Sequence, residues 1–209
     1  MEMTIHQALS YLKTADKRIE DKIVGDTYVT FVKIGADKIN GESANTARAE
    51  MKSSYQSVCD ILKRVEDIKK AINKANAEII ITVCGEEMSV ASALYMMNYG
   101  LDVKKKLLSS MRQQYITAKQ NVEYKNGSEL ENKVNKFVET MYGGKEKANS
   151  SEAIGAIEDY RKKNSYELVD PIGISEEIKK LTDWIDDFEA EVDAKIQMSN
   201  STHTITIPD

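Results

Sequence analysis

Val58-Cys59-Asp60-Ile61-Leu62-Lys63-Arg64-Val65-Glu66-Asp67-Ile68-Lys69-Lys70-Ala71-Ile72-Asn73-Lys74-Ala75 decides the fold class. Val58, Ile61, Val65, Ile68, Ile72 and Ala75 recur every three or four residues, the period that lines one face of an α-helix with apolar side chains. The stripe has the spacing of a coiled-coil seam. Lys63, Arg64, Glu66, Asp67, Lys69 and Lys70 fill the remaining face, where opposite charges three or four apart pair in water. Such a helix has to cover its stripe with another helix.

The same period recurs on both sides. Toward the N-terminus, Ile5, Ala8, Leu12, Ala15 and Ile19 form a stripe, with Thr4 and Gln7 as its capping box and an end near Gly25. Toward the C-terminus, Ser89 caps a helix carrying Leu94, Met97, Leu101, Leu108, Met111, Tyr115, Ala118 and Val122, broken only at Lys104. Asn126-Gly127 signals a turn, after which Ser128 and Glu131 suggest a capping box for a helix with Leu130, Val134, Phe137, Val138 and Met141 that stops at Gly143-Gly144. A shorter helix starts at Ser150 or Ser151 and carries Ile154, Ile157 and Tyr160. The last helix begins near Ser175, with Glu176 and Glu177 at the positive end of its dipole. Its seam is Ile178, Leu181, Ile185, Phe188 and Val192.

Between these helices lie short β-prone runs. Ile79 to Cys84, a turn at Gly85-Glu86 and Glu87 to Val90 read as a hairpin. Tyr28 to Ile34, Tyr166 to Val169 and His203 to Ile207 read as single strands. The expected fold is mostly α: long antiparallel helical hairpins or coiled coil, with a small β element formed by short strands near helix ends. No repeat of fixed period and no low-complexity linker interrupts residues 1–209, so one helical domain is expected, with 143–151 as the candidate mobile loop.

Composition agrees with long solvated helices: charged residues make up 30%, aromatic residues 7%, and only two prolines occur in 209 residues. The net charge of −5 is small beside 29 basic and 34 acidic side chains, and it argues against a nucleic-acid partner, which a basic excess would serve. Cys59 and Cys84 stand alone, outside any zinc or disulfide spacing, and point to a reducing compartment, the cytoplasm. Met1 opens a polar segment without the basic-then-apolar order of a secretory signal. The longest apolar run, Ile79 to Cys84, is far short of the roughly 20 residues of a membrane span.

Catalytic chemistry lacks a foothold. His6 and His203 lie at opposite ends without a motif, and no phosphate loop, dinucleotide fingerprint, nucleophile elbow or His-Glu-x-x-His occurs. No catalytic residue, metal site or cofactor is expected. Asp183, Asp186, Asp187, Glu189, Glu191 and Asp193 read as the solvated face of the last helix rather than as cation ligands. Lys104, Lys105 and Lys106, with Arg112, form the most basic patch, without the interleaved aromatics of a nucleic-acid surface. Trp184, beside the seam, fits a helix–helix or subunit junction. Asn73 and Asn76 sit where a helix gives way to a hairpin, a place where asparagine satisfies loose backbone groups and where a small pocket would need polar groups.

The run AINKANAEIIITVCGEEMSVASAL, with its Ile72-Asn73-Lys74-Ala75-Asn76 segment ahead of a glycine-turned hairpin, resembles the septicolysin-like family of small helical bacterial and phage proteins. YRKKNSYELVDPIGISEEIKKLTDWIDDFEAEVDAKIQMSN is similar to that family's strand, loop and closing helix. This chain departs from the pattern by a longer stretch around Gly127 to Ser151. The resemblance implies a helical hairpin fold with a minor β element and no established enzyme activity. The family's toxin-like name suggests pore formation, for which this chain has no long apolar or alternating segment.

Two functions follow. The first is a non-enzymatic helical assembly protein of bacterial or phage origin that associates with itself, or with another protein, through its seams, Ile178, Leu181, Ile185, Phe188 and Val192 above all. The alternative is an oligomeric binding protein that sequesters a small polar or nucleotide-like ligand, as a phage-borne inhibitor of host defence signalling would, using Asn73, Asn76, Arg48, Lys104 and Arg112.

Overall fold

A computed structural model describes residues 1–208 and gives a mostly helical chain with small β elements. In order these are β1 Glu2–Thr4, α1 Ile5–Gly25, β2 Lys38–Ile39, β3 Glu42–Ser43, α2 Ala44–Glu78, β4 Ile80–Val83, β5 Glu86–Ser89 and α3 Val90–Tyr95. A π-turn at Met96–Gly100 leads into α4 Leu101–Tyr124, and a second at Lys125–Glu129 leads into α5 Leu130–Tyr142. A 3-10 turn at Lys145–Lys147, α6 Ser151–Asn164, α7 Ile174–Thr202 and β6 Thr204–Thr206 complete it. The chain falls into two compact units, residues 1–98 with 187–209 and residues 99–186.

In the first unit α1 and α2 pack as an antiparallel pair: Ile5 and Ala8 meet Ile68 and Ile72, while Ala15 further along α1 meets Ile61 and Val65, earlier on α2. Both stripes are therefore covered by each other. Thr4 closes the N-terminus of α1 as a capping box, its hydroxyl accepting from the Gln7 amide while the Gln7 side chain accepts from the Thr4 amide. The β1 and β6 strands pair antiparallel, Met3 opposite Ile205, and the Ile205 and Ile207 side chains join the α1–α2 core. In the same unit Phe188, Val192 and Ile196 of α7 are buried.

Two hairpins each precede a serine-capped helix. In the first, Asn40 and Gly41 both have positive φ, as a two-residue type I′ turn requires, and Ser43 caps α2 through the Thr46 amide. In the second the turn is Cys84-Gly85, again with both φ positive, one residue earlier than the sequence suggests, and Ser89 caps α3 through the Ser92 amide. The Asn40-Gly41 signal went unread in the sequence, although Asn-Gly is the strongest short hairpin cue.

In the second unit α5 and α6 form a hairpin around Leu130, Val134, Val138, Ala148 and Ala153, with Phe137 and Tyr160 stacked at 4.3 Å. Gly143, left-handed at φ 68°, ends α5, and the Ser150 hydroxyl caps α6. Asp170 caps α7, both carboxylate oxygens lying 2.9 Å from the Ile174 amide.

Other readings of the sequence also differ from the structure. Tyr28 to Ile34 and Tyr166 to Val169 form no strand: each is β-prone, yet neither is paired with another strand. Among the described residues the strands pair as three separate two-stranded sheets. The helix does break at Asn126-Gly127, where Gly127 leaves helical geometry in a kink between α4 and α5, but no side chain caps α5. Glu131, instead of boxing with Ser128, pairs with Arg161 of α6.

Candidate functional site

Arg48 and Asn73, both exposed, stand 25 residues apart on α2, a rise of about 37 Å at 1.5 Å per residue. No single pocket can use both. Asn76 is half-buried, and its Oδ1 is sealed from solvent without a hydrogen-bond partner. Asn73 is left to solvent one turn earlier.

Lys104 and Arg112 lie two turns apart on α4, and both reach α7. The Lys104 ammonium stands 4.2 Å from the centroid of the Trp184 ring, and Arg112 Nη2 donates to Thr182 Oγ1 at 2.7 Å. Thr182 in turn donates to the Ile178 carbonyl at 2.7 Å. The break at Lys104 in the α4 stripe is thus filled by a cation over an aromatic face. These two basic residues clasp α4 to α7.

Beside this clasp opens a groove of about 670 Å³, walled by Leu107 and Met111 of α4, Ile172, and Leu181 and Trp184 of α7. Its polar rim is Glu177 and Lys180, paired at 2.7 Å, and the Glu177 carboxylate raises the Lys180 pKa. The segment before α7 is held against the helices by Asn126, whose amide both donates to the Tyr166 carbonyl and accepts from the Tyr166 amide, each at 2.7 Å. Asn126 therefore mimics a strand neighbour for one residue. Lys125 and Lys133 each lie 5.9 Å from the Tyr166 ring, with Glu129 accepting from both.

No family model, no curated protein and no solved structure matches this chain.

The seam residues of α7 divide by depth. Ile185, Phe188 and Val192 are buried, while Ile178 and Leu181 are half-buried, Leu181 in the groove wall. The π-turn at Met96–Gly100 and the start of α4 carry a second apolar stripe that the sequence reading missed. Leu101 and Leu108 are buried, whereas Tyr99, Val103 and Leu107, spaced four apart on another edge, are 66%, 67% and 54% exposed. Their spacing is visible in the sequence, and Leu107 belongs to both the stripe and the groove.

The histidines remain apart from any such cluster. His6 is exposed on α1, and His203 Nδ1 lies 3.0 Å from the Ser199 carbonyl. Among the described residues no group of three His, Cys, Asp or Glu side chains is arranged to hold a metal ion, and no helix is long and apolar enough to cross a membrane. Cys84 lies beside α7, its amide donating to Glu191 at 3.1 Å. Burial, then the carboxylates of Glu191, Asp187 and Glu86, push its thiol pKa up, away from nucleophilic reactivity at neutral pH.

Proposed function

We propose that this protein is a non-enzymatic helical assembly protein of bacterial or phage origin that acts in the cytoplasm by associating with itself. The observation that carries the reading is the exposed line Tyr99, Val103 and Leu107 running into the apolar groove beside Trp184. A contiguous apolar surface of this kind marks an interaction site on a water-soluble chain. Single exposed apolar residues would carry no such meaning. The resemblance to septicolysin-like proteins belongs to the same proposal, since that family has no established enzyme activity.

Light scattering and native mass spectrometry on the full chain test it. The wild-type protein should run as an oligomer, and Val103→Asp should reduce it to the monomer mass with an unchanged circular dichroism spectrum, because Val103 is not part of the buried core. A wild-type monomer at tens of micromolar overturns the proposal. Native mass spectra also reveal any small polar molecule retained by the protein, the mark of the sequestering alternative.

A further inference from the structure

The geometry points to a binding site for a free α-amino acid in the first unit, where Arg64 of α2 lies over Tyr11 of α1. A cavity of about 350 Å³ opens there, and its walls include Tyr11, Asp60, Lys63, Arg64, Asp67 and Pro208. Sites for small molecules begin near this size. None of these residues belongs to the α4–α7 groove, and the inference does not depend on self-association.

An unmet donor selects one end of the ligand. The Arg64 guanidinium stands 5.5 Å from the centre of the Tyr11 ring, its Nε is sealed from solvent without a hydrogen-bond partner, and Nη2 donates to the Met1 sulfur at 2.8 Å. Nε and Nη2 share the edge through which a guanidinium takes a carboxylate by two parallel hydrogen bonds. Here one of the two has no acceptor and the other meets a thioether, a weak one. A charged donor buried without an acceptor is costly. A carboxylate that displaces the Met1 side chain from this edge satisfies both nitrogens at once.

Charge balance selects the other end. Asp60 and Asp67 stand four residues before and three residues after Arg64, on the same face of α2. With Lys63 and Arg64 they give the cavity two anions and two cations among the described residues. A simple anion meets the aspartates there, and a simple cation meets Lys63 and Arg64. A dipolar ion avoids both repulsions, with its carboxylate on Arg64 and its ammonium on Asp60 or Asp67. Asp60 Oδ1 accepts from Gln56 at 2.8 Å, and Asp67 Oδ1 lies 3.8 Å from Lys70 Nζ, so each carboxylate is engaged there through one oxygen of its two. Tyr11 and Pro208 add apolar surface for the side chain of the ligand.

Isothermal titration of the full chain with each of the standard free L-amino acids tests the site. At least one should bind with a Kd below about 1 mM. The N-acetyl derivative of that amino acid, which lacks the ammonium, and its amide, which lacks the carboxylate, should each bind at least about tenfold more weakly. Arg64→Lys keeps a cation over the Tyr11 ring but removes the two-nitrogen edge, and it too should weaken binding by at least about tenfold, with an unchanged circular dichroism spectrum. If that variant does not fold, the two derivatives on the wild-type protein decide alone. No binding by any free amino acid at millimolar concentration overturns the site. An N-acetyl derivative that binds as well as its parent removes the aspartates from it and overturns the dipolar ligand, and a folded Arg64→Lys protein with undiminished affinity overturns the role of Arg64.

Discussion

Lys104 of α4 places its ammonium 4.2 Å from the centre of the Trp184 ring on α7, at the mouth of the apolar groove. A lysine that breaks an otherwise apolar stripe is thereby accommodated at a helix junction without being buried as an unpartnered charge. Its ammonium stays over the ring face.

Replacing Lys104 by Ala should destabilise the protein by about 0.5–1 kcal/mol, the range for a cation over an aromatic ring near the surface. Lys104→Arg should retain most of it. Trp184 is the single tryptophan of the chain, so its emission reports this junction alone. Urea melts followed by fluorescence should show an earlier midpoint and a shifted folded-state emission for Lys104→Ala. Identical emission from both proteins would mean that the contact does not form.

Ile185 is 3% exposed and Asp183 is exposed on the same helix. Ile185→Asp should cost several kcal/mol, through lost packing and a buried charge, whereas Asp183→Ala should cost under about 0.5 kcal/mol. Phe188→Ala, at a fully buried position, should cost about 3–5 kcal/mol. Chemical denaturation of the three variants checks the order. A stable Ile185→Asp protein would mean that the α7 seam is not covered as described.

Cys84 holds φ 51° in the first central position of its type I′ turn, a left-handed conformation that is costly for most side chains and cheap for asparagine. Cys84→Asn converts the turn to Asn-Gly and should stabilise the protein by about 1 kcal/mol. Cys84→Val should destabilise it, because a β-branched residue is worst suited to positive φ. Thermal melts of the pair give the sign directly. Stabilisation by Val and not by Asn would contradict the turn geometry.

Acid should weaken the second unit. The Glu129 carboxylate accepts hydrogen bonds from Lys125 and Lys133, and Glu131 accepts from Arg161, and each contact holds its pKa below the usual 4.5. Groups with depressed folded-state pKa values contribute stability that is present above their unfolded value and is lost as pH falls through the folded one. The urea midpoint should therefore drop as pH falls below 4.5, and Glu131→Gln should show a shallower drop than the wild type. Equal slopes for the two proteins would remove Glu131 from the acid response.

Much of this architecture was legible in the chain itself, because its determinants are local. The Thr4-Gln7 box, the Ser89 and Ser150 caps, the Gly143 stop and the α1 and α2 stripes act within one helical turn or repeat at one helical period, so spacing alone reveals them. The distance between Arg48 and Asn73 was equally implicit in the length of one helix. Pairing depends on something else. Tyr28 to Ile34 has more β character than Glu2-Met3-Thr4, yet only the latter is a strand, because β6 arrives beside it from 200 residues away. Propensity is a property of a segment, whereas a strand is a property of two. Likewise, the stretch from Tyr99 into α4 carries two apolar edges by sequence, and only the packing of the chain decides that Leu101 and Leu108 are buried while Tyr99, Val103 and Leu107 are exposed. Helix type and period come from neighbours in sequence, but coverage of a face depends on which distant segments reach it.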